Sequence, residues 1–174
     1  MIFVSAGHHP AAPGATFERF VEHDEAVIWA DALNAALDDS MLVPAGVLRD
    51  KVDFINTRVM DGDIALEIHF NSAMVDGKHV GRGSETLYYP GSEAGKELAE
   101  RCQNVLADTF PPDRGVKEGW YQMNPERGAD FFLAKTKCPA VIIEPDFVQR
   151  NDLIQAGRDA AIINLAAALQ SASE

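Results

Sequence analysis

Three short apolar runs in this chain each break off into a histidine or a carboxylate, and that pattern limits what the chain can become. Ile2-Phe3-Val4 runs into Ser5-Ala6-Gly7-His8-His9, and Ile64-Ala65-Leu66-Glu67-Ile68 into His69-Phe70-Asn71-Ser72. Ala140-Val141-Ile142-Ile143 runs into Glu144-Pro145-Asp146. Runs of this length suit buried strands. Stretches of helical spacing lie between them, so the chain reads as an α/β domain with a largely parallel sheet between helices. In an open α/β sheet, ligands bind beyond the carboxyl ends of the strands. Three strand ends carrying imidazole and carboxylate groups therefore point to one metal site gathered from distant segments.

The segment from His8 to Gly14 holds two prolines and a glycine and reads as a loop. From Glu22 to Asp39, the residues Ala26, Ala30, Leu33 and Leu37 recur at helical spacing, with Asp31, Asp38 and Asp39 off the stripe. Glu22, Asp24 and Glu25 crowd the start of this helix, where its dipole favours negative charge. A short strand is expected over 41–43, a helix over 47–59 and a strand over 64–70 after the Asp61-Gly62-Asp63 turn. The stretch 75–83 reads as an exposed loop, 85–89 as a strand ended by Pro90-Gly91. Leu98, Cys102, Val105 and Leu106 mark a third helix, and 111–128 is loop-rich and carries Trp120 and Tyr121. Phe131 to Ala134 reads as a strand. Asn151-Asp152 reads as the cap of a last helix with the stripe Ile154, Ala161, Ile162, Leu165 and Leu169. No repeat or linker interrupts the chain, so residues 1–174 are expected to form a single catalytic domain.

The formal net charge is −12. Such a surface repels phosphate backbones and anionic lipid, which argues against nucleic acid as a partner. No apolar run reaches the ~18 residues of a transmembrane helix, so no membrane insertion is expected. Cys102 and Cys138 stand alone, without CxxC spacing, and read as reduced core thiols. The N-terminus lacks the basic region and long apolar stretch of a signal peptide.

A hydrolytic zinc site needs about three protein ligands and one open position for water. Two imidazoles and one carboxylate leave the ion cationic enough to activate that water, and a second, unligated carboxylate then carries the proton. His8, Glu22 and His69 can supply the ligands and Glu144 the base. Spacing alone leaves other readings open: His8 and His9 as loop histidines, Glu22 as a complement to the helix dipole, Glu144 as a strand-end carboxylate reaching solvent. A carboxylate directly after four buried-type residues has a raised pKa unless paired, which suits a base.

Three blocks, in order and spanning almost the whole chain, resemble the zinc-dependent N-acetylmuramoyl-L-alanine amidases of the amidase-3 type. The first is Ala6-Gly7-His8, then Pro13-Gly14-Ala15, then Glu22 opening a helix. The second is Ile68-His69-Phe70-Asn71-Ser72, similar to that family's Ile-His-x-Asn block. The third is Cys138-Pro139-Ala140-Val141-Ile142-Ile143-Glu144-Pro145-Asp146-Phe147, similar to that family's Pro-Ala-apolar-apolar-Glu-x-x-Phe block. The resemblance implies His8, Glu22 and His69 as Zn²⁺ ligands and Glu144 as the catalytic glutamate. It implies a mixed, mostly parallel twisted sheet of about six strands flanked by helices on both faces. The implied reaction is cleavage of the amide between N-acetylmuramic acid and L-alanine of peptidoglycan, with muramic acid and the stem peptide as partners.

The chain departs from the family at His9 (usually glycine), at Glu67 (usually serine) and after Glu144. Glu67 can serve as an acceptor that orients a ligand histidine, or as a salt-bridge partner. Asn71, Arg82 and Arg114 are candidates to bind substrate, the arginines by meeting stem-peptide carboxylates. Trp120 and Tyr121 can wall the substrate or simply pack. Alternative readings are another zinc peptidase or carboxypeptidase on a similar scaffold, or a non-enzymatic wall-binding module. Without a signal peptide, the expected setting is a monomeric, endolysin-like enzyme made in the cytoplasm. It then acts on the cell wall after holin release or machine delivery.

Overall fold

The computed structural model describes residues 1–171, so the last three positions of the expected 1–174 unit lie outside the described residues. Its main sheet is built from β1 (Ile2–Ala6), β4 (Ser40–Leu42), β5 (Ile64–Ile68), β8 (Ser84–Tyr88), β9 (Asp113–Glu118) and β10 (Ala140–Glu144). The strand order is β4-β1-β5-β10-β8-β9. All neighbouring pairs are parallel except β10 with β8. The expected six-stranded, mixed, mostly parallel sheet is therefore present. β1, β5 and β10 are adjacent and parallel, which brings their three carboxyl ends to one edge.

The pleat assigns the two faces. Ile2, Val4, Leu66, Ile68, Val141 and Ile143 pack into one core with α1 (Glu22–Ala36), α3 (Glu93–Thr109) and α5 (Asn151–Gln170). Phe3, Ala65, Leu87, Ala140 and Ile142 pack into a second core with α2 (Leu48–Asn56) and α4 (Phe131–Lys135). Each fully buried aliphatic or aromatic side chain contributes roughly 1.5–3 kcal/mol, so both layers are well supported. The second layer is the thinner one, because α2 and α4 are short. On that face the carboxyl edge of the sheet stays open, and Ser5, Glu67, Glu85 and Glu144 share it by strand alternation.

α1 begins without a side-chain cap; its first amides are met by the preceding loop, Glu22 N–H donating to Ala15 O and His23 N–H to Pro13 O. That fastens the helix start to the loop carrying His8. A small pair, β2 (Thr16–Phe17) with β3 (Phe20–Val21), closes the same loop.

Four expectations need correction. Phe131–Lys135 is a helix, started by Asp130, whose side chain accepts from Phe132 N–H at 2.8 Å. An apolar run of four has no period to separate helix from strand. The stretch 75–83 is exposed but not irregular: β6 (Ala73–Val75) and β7 (Lys78–Val80) form a hairpin about Asp76-Gly77, both in left-handed conformation. The loop-rich segment contains β9, an edge strand whose polar sequence hides it and suits the sheet's margin. Asn151 is the first residue of α5 rather than its cap, and no side chain caps that end. Both cysteines are free, Cys102 buried and Cys138 half-buried. Among the described residues no helix is long and apolar enough to cross a membrane.

Candidate metal centre and active-site cleft

His8 lies just past β1, His69 just past β5, and Glu22 on the first turn of α1. The structure brings them together. Glu22 Oε1 stands 3.0 Å from His8 Nε2 and 3.1 Å from His69 Nδ1, and one ligating atom from each residue lies within 4.8 Å of the others. Glu22 is also fixed by the backbone, accepting from Ala15 N–H at 2.8 Å and Phe70 N–H at 3.1 Å. The close approach needs glycine at two points. A Cβ on Gly7 would sit 2.6 Å from Ile68 O and 2.7 Å from the His69 ring. One on Gly14 (φ +80°) would sit 2.4 Å from Glu22 Oε2 and 2.5 Å from His8 Nε2.

Electrostatics follow from this packing. Burial pushes the Glu22 carboxyl up, but hydrogen bonds from His69 and His8 outweigh it and hold the group at about 2. Burial pushes His69 down, while its bonds to Glu22 and Glu67 raise it to about 10. Carboxylates thus surround His69 on both ring nitrogens: Nδ1 faces Glu22, and Nε2 faces Glu67 Oε2 at 3.1 Å. Two imidazole nitrogens and one ionised carboxylate are a donor set that suits Zn²⁺ and leaves a coordination position free. The further carboxylate on the outer nitrogen of His69 is the usual companion of a ligating histidine.

Glu144, the last residue of β10, lines the same cleft as the triad, a cavity of about 440 Å³ walled by Trp120, Tyr121, Gln122 and Asp130. Burial, and then the charge of Glu85, push its carboxyl up to about 7. Glu85 is its register partner across the antiparallel pair. It is buried, and it accepts from Arg114 (Nη2 at 2.8 Å, Nε at 2.9 Å), Lys117 and Asn71. Asn71 lines the cleft with its amide directed to Glu85, and Arg114 is likewise tied to Glu85. Arg82 is exposed and outside the cleft lining. Tyr121 is half-exposed at the cleft rim.

Sequence reasoning missed Lys51, Glu85 and Asp130. Lys51 had a signal: it falls on the α2 stripe with Leu48, Val52 and Ile55, where an apolar residue belongs. Glu85 had none, because only the antiparallel register sets it opposite Glu144. Asp130 caps α4 and lines both this cleft and a neighbouring one of about 270 Å³ that includes His9 and Lys51.

The family model described as N-acetylmuramoyl-L-alanine amidase matches residues 2–170. Solved structures similar to this chain include an N-acetylmuramoyl-L-alanine amidase from Clostridium difficile 630. It has 22% identity and a TM-score of 0.80, covering 98% of this chain and 94% of that one. A second is an N-acetylmuramoyl-L-alanine amidase of Nostoc punctiforme, at 18% identity and TM-score 0.79, covering 99% and 96%. A third is the catalytic domain of an endolysin targeting Clostridia Difficile, at 23% identity and TM-score 0.72, covering 98% and 96%. Likeness at these identities speaks for the fold. No curated protein matches the chain.

Proposed function

The chain belongs to the N-acetylmuramoyl-L-alanine amidase family and is a peptidoglycan amidase, and on that premise we propose that His8, Glu22 and His69 hold Zn²⁺ and Glu144 is the base. The observation that carries this reading is the convergence of the three donors on one point of the cleft that Glu144 also lines. When bound, the ion supplies Lewis acidity, making a water nucleophilic near neutral pH and polarising the amide carbonyl.

The residues do the rest. Glu144, whose carboxyl is pushed up by burial and then by the charge of Glu85, accepts the proton of the attacking water as its oxygen bonds to the lactyl carbonyl carbon. As the C–N bond breaks, Glu144 returns that proton to the departing amine, leaving a carboxylate on the muramic acid and a free amino terminus on L-alanine. Glu67 accepts from His69 Nε2 and keeps Nδ1 directed at the centre. Arg114 and Lys117 hold Glu85, and Trp120 and Tyr121 wall the cleft in which the stem peptide lies. Because the arginine of the Glu85 pair is committed, we assign it to setting the charge around Glu144 rather than to gripping substrate. The setting we infer is lysis of the cell wall by an endolysin-like enzyme, a reading supported by the endolysin catalytic domain among the similar structures.

Mass spectrometry of peptidoglycan digested by the purified chain tests the reaction. Intact stem peptides with new L-alanine amino termini are expected. Free single amino acids from the peptide end would instead mark a carboxypeptidase.

A further inference from the structure

α2 buries a lysine. Lys51 is 2% exposed and lies on the helix face that carries Val52 and Ile55. An ammonium has three N–H donors, and all three are used inside the protein. Nζ donates to Ala6 O, to His8 O at 2.7 Å and to Glu67 Oε1 at 3.3 Å. Burying a charge is costly unless it is paired and hydrogen-bonded, so this arrangement is a specific one. A buried ion pair is by itself weak ground for stability. What sets this pair apart is where its acceptors lie: every one is on a strand end or turn that carries a proposed metal ligand.

Ala6 and His8 flank Gly7, so holding both carbonyls fixes the turn between them. His8 adopts φ +58° there, a left-handed conformation that a non-glycine residue keeps only when its surroundings over-determine it. On the other side, Glu67 uses Oε1 for Lys51 and Ser5 and Oε2 for His69 Nε2. One ammonium thus grips the backbone of His8 and, through Glu67, the ring of His69.

We propose that Lys51 is a positioning residue of the metal centre, locking the His8 turn and the Glu67–His69 pair in the geometry that receives the ion. The inference rests on reading His8, Glu22 and His69 as zinc ligands.

The test is zinc affinity of the full chain, by competition with a chromophoric chelator, with melting of the metal-free protein as the control for folding. Lys51→Met is expected to bind zinc about 10- to 100-fold more weakly, the usual cost of removing an outer partner of a metal ligand. Lys51→Arg, which keeps several donors on a long stem, is expected to stay within about threefold of the unsubstituted chain. Lys51→Met/Glu67→Ser removes both buried charges and also lacks the grip on Ala6 and His8, so it is expected to lose affinity as well. A folded methionine variant that binds zinc as tightly as the unsubstituted chain overturns the proposal. So does failure of both methionine variants to fold, because Lys51 would then hold the fold rather than the site. An unsubstituted chain that takes up no zinc overturns both this inference and the function it rests on; zinc uptake unchanged by Lys51→Met overturns this inference alone.

Discussion

Replacing Glu85 by glutamine should move the acid limb of the enzyme's pH profile, and its direction follows from the sheet register. Glu85 and Glu144 are opposite one another across β8 and β10, where side chains start roughly 5 Å apart. Two like charges about 6 Å apart at an effective dielectric near 20 repel by about 2.8 kcal/mol, equivalent to about two pKa units. Water at the cleft mouth reduces this, so a change of about one to two units is expected. The sign is unambiguous. As the proposed base, Glu144 acts when ionised, and its carboxyl is pushed up to about 7 by burial and then by Glu85. Glu85→Gln removes the repulsion and leaves Arg114 and Lys117 uncompensated beside the cleft, and both changes ease ionisation of Glu144. The acid limb of kcat/KM, which reports groups of the free enzyme, should therefore move to lower pH. A dication held at the proposed site would lower the limb in both proteins, so the difference between them is the quantity to read. The assay is release of new amino termini from purified peptidoglycan across the range around neutrality. An acid limb that stays in place or moves to higher pH would refute the assignment of Glu144 as base or of Glu85 as its electrostatic neighbour.

Glu144→Gln should lower kcat by about 10²- to 10⁴-fold while zinc content stays unchanged; turnover near that of the unsubstituted enzyme would sink the base assignment. Gly14→Ala forces a Cβ to within 2.4 Å of Glu22 Oε2 at a φ of +80°. It should cost about 1–2 kcal/mol from backbone strain and weaken zinc binding besides, measurable by melting and metal titration. Unaltered affinity would show that the Glu22–His8 approach is slack. Trp29 is fully buried in the core of α1, α3 and α5, with Nε1 donating to Glu25 at 3.2 Å. Trp29→Ala should lower unfolding free energy by about 3–5 kcal/mol in denaturant titration, and a loss well below that range would mean the core collapses around the gap.

The parts of this site readable from sequence are those set by strand period and strand ends. His8, His69 and Glu144 follow apolar runs, and parallel pairing of β1, β5 and β10 carries those ends to one edge. Glu22 belongs to a helix start, where an acidic residue already has a reason to be, so the strand-end pattern does not reach it and the resemblance to a family is what strengthens it as a ligand. Glu85 depends on β8 running antiparallel to β10, which no local pattern in the chain reveals. β9 was illegible for a related reason: Asp113-Arg114-Gly115-Val116-Lys117-Glu118 reads as loop, because an edge strand can be polar on both sides. That strand carries the two cations that hold Glu85, so missing it hid half of the charge balance around Glu144. Lys51 was legible in principle, as a lysine on an apolar stripe, but its three acceptors are spread over two strand ends distant in sequence.

On the proposed reading, three side chains from distant segments, His8, Glu22 and His69, form one zinc site. Zinc content of the purified chain, measured alongside His69→Ala with both proteins shown to be folded, tests it most directly. One zinc ion per unsubstituted chain and little or none in His69→Ala is the result expected from the geometry of His8, Glu22 and His69. Equal zinc in both folded proteins, or none in either after exposure to the metal, would contradict it.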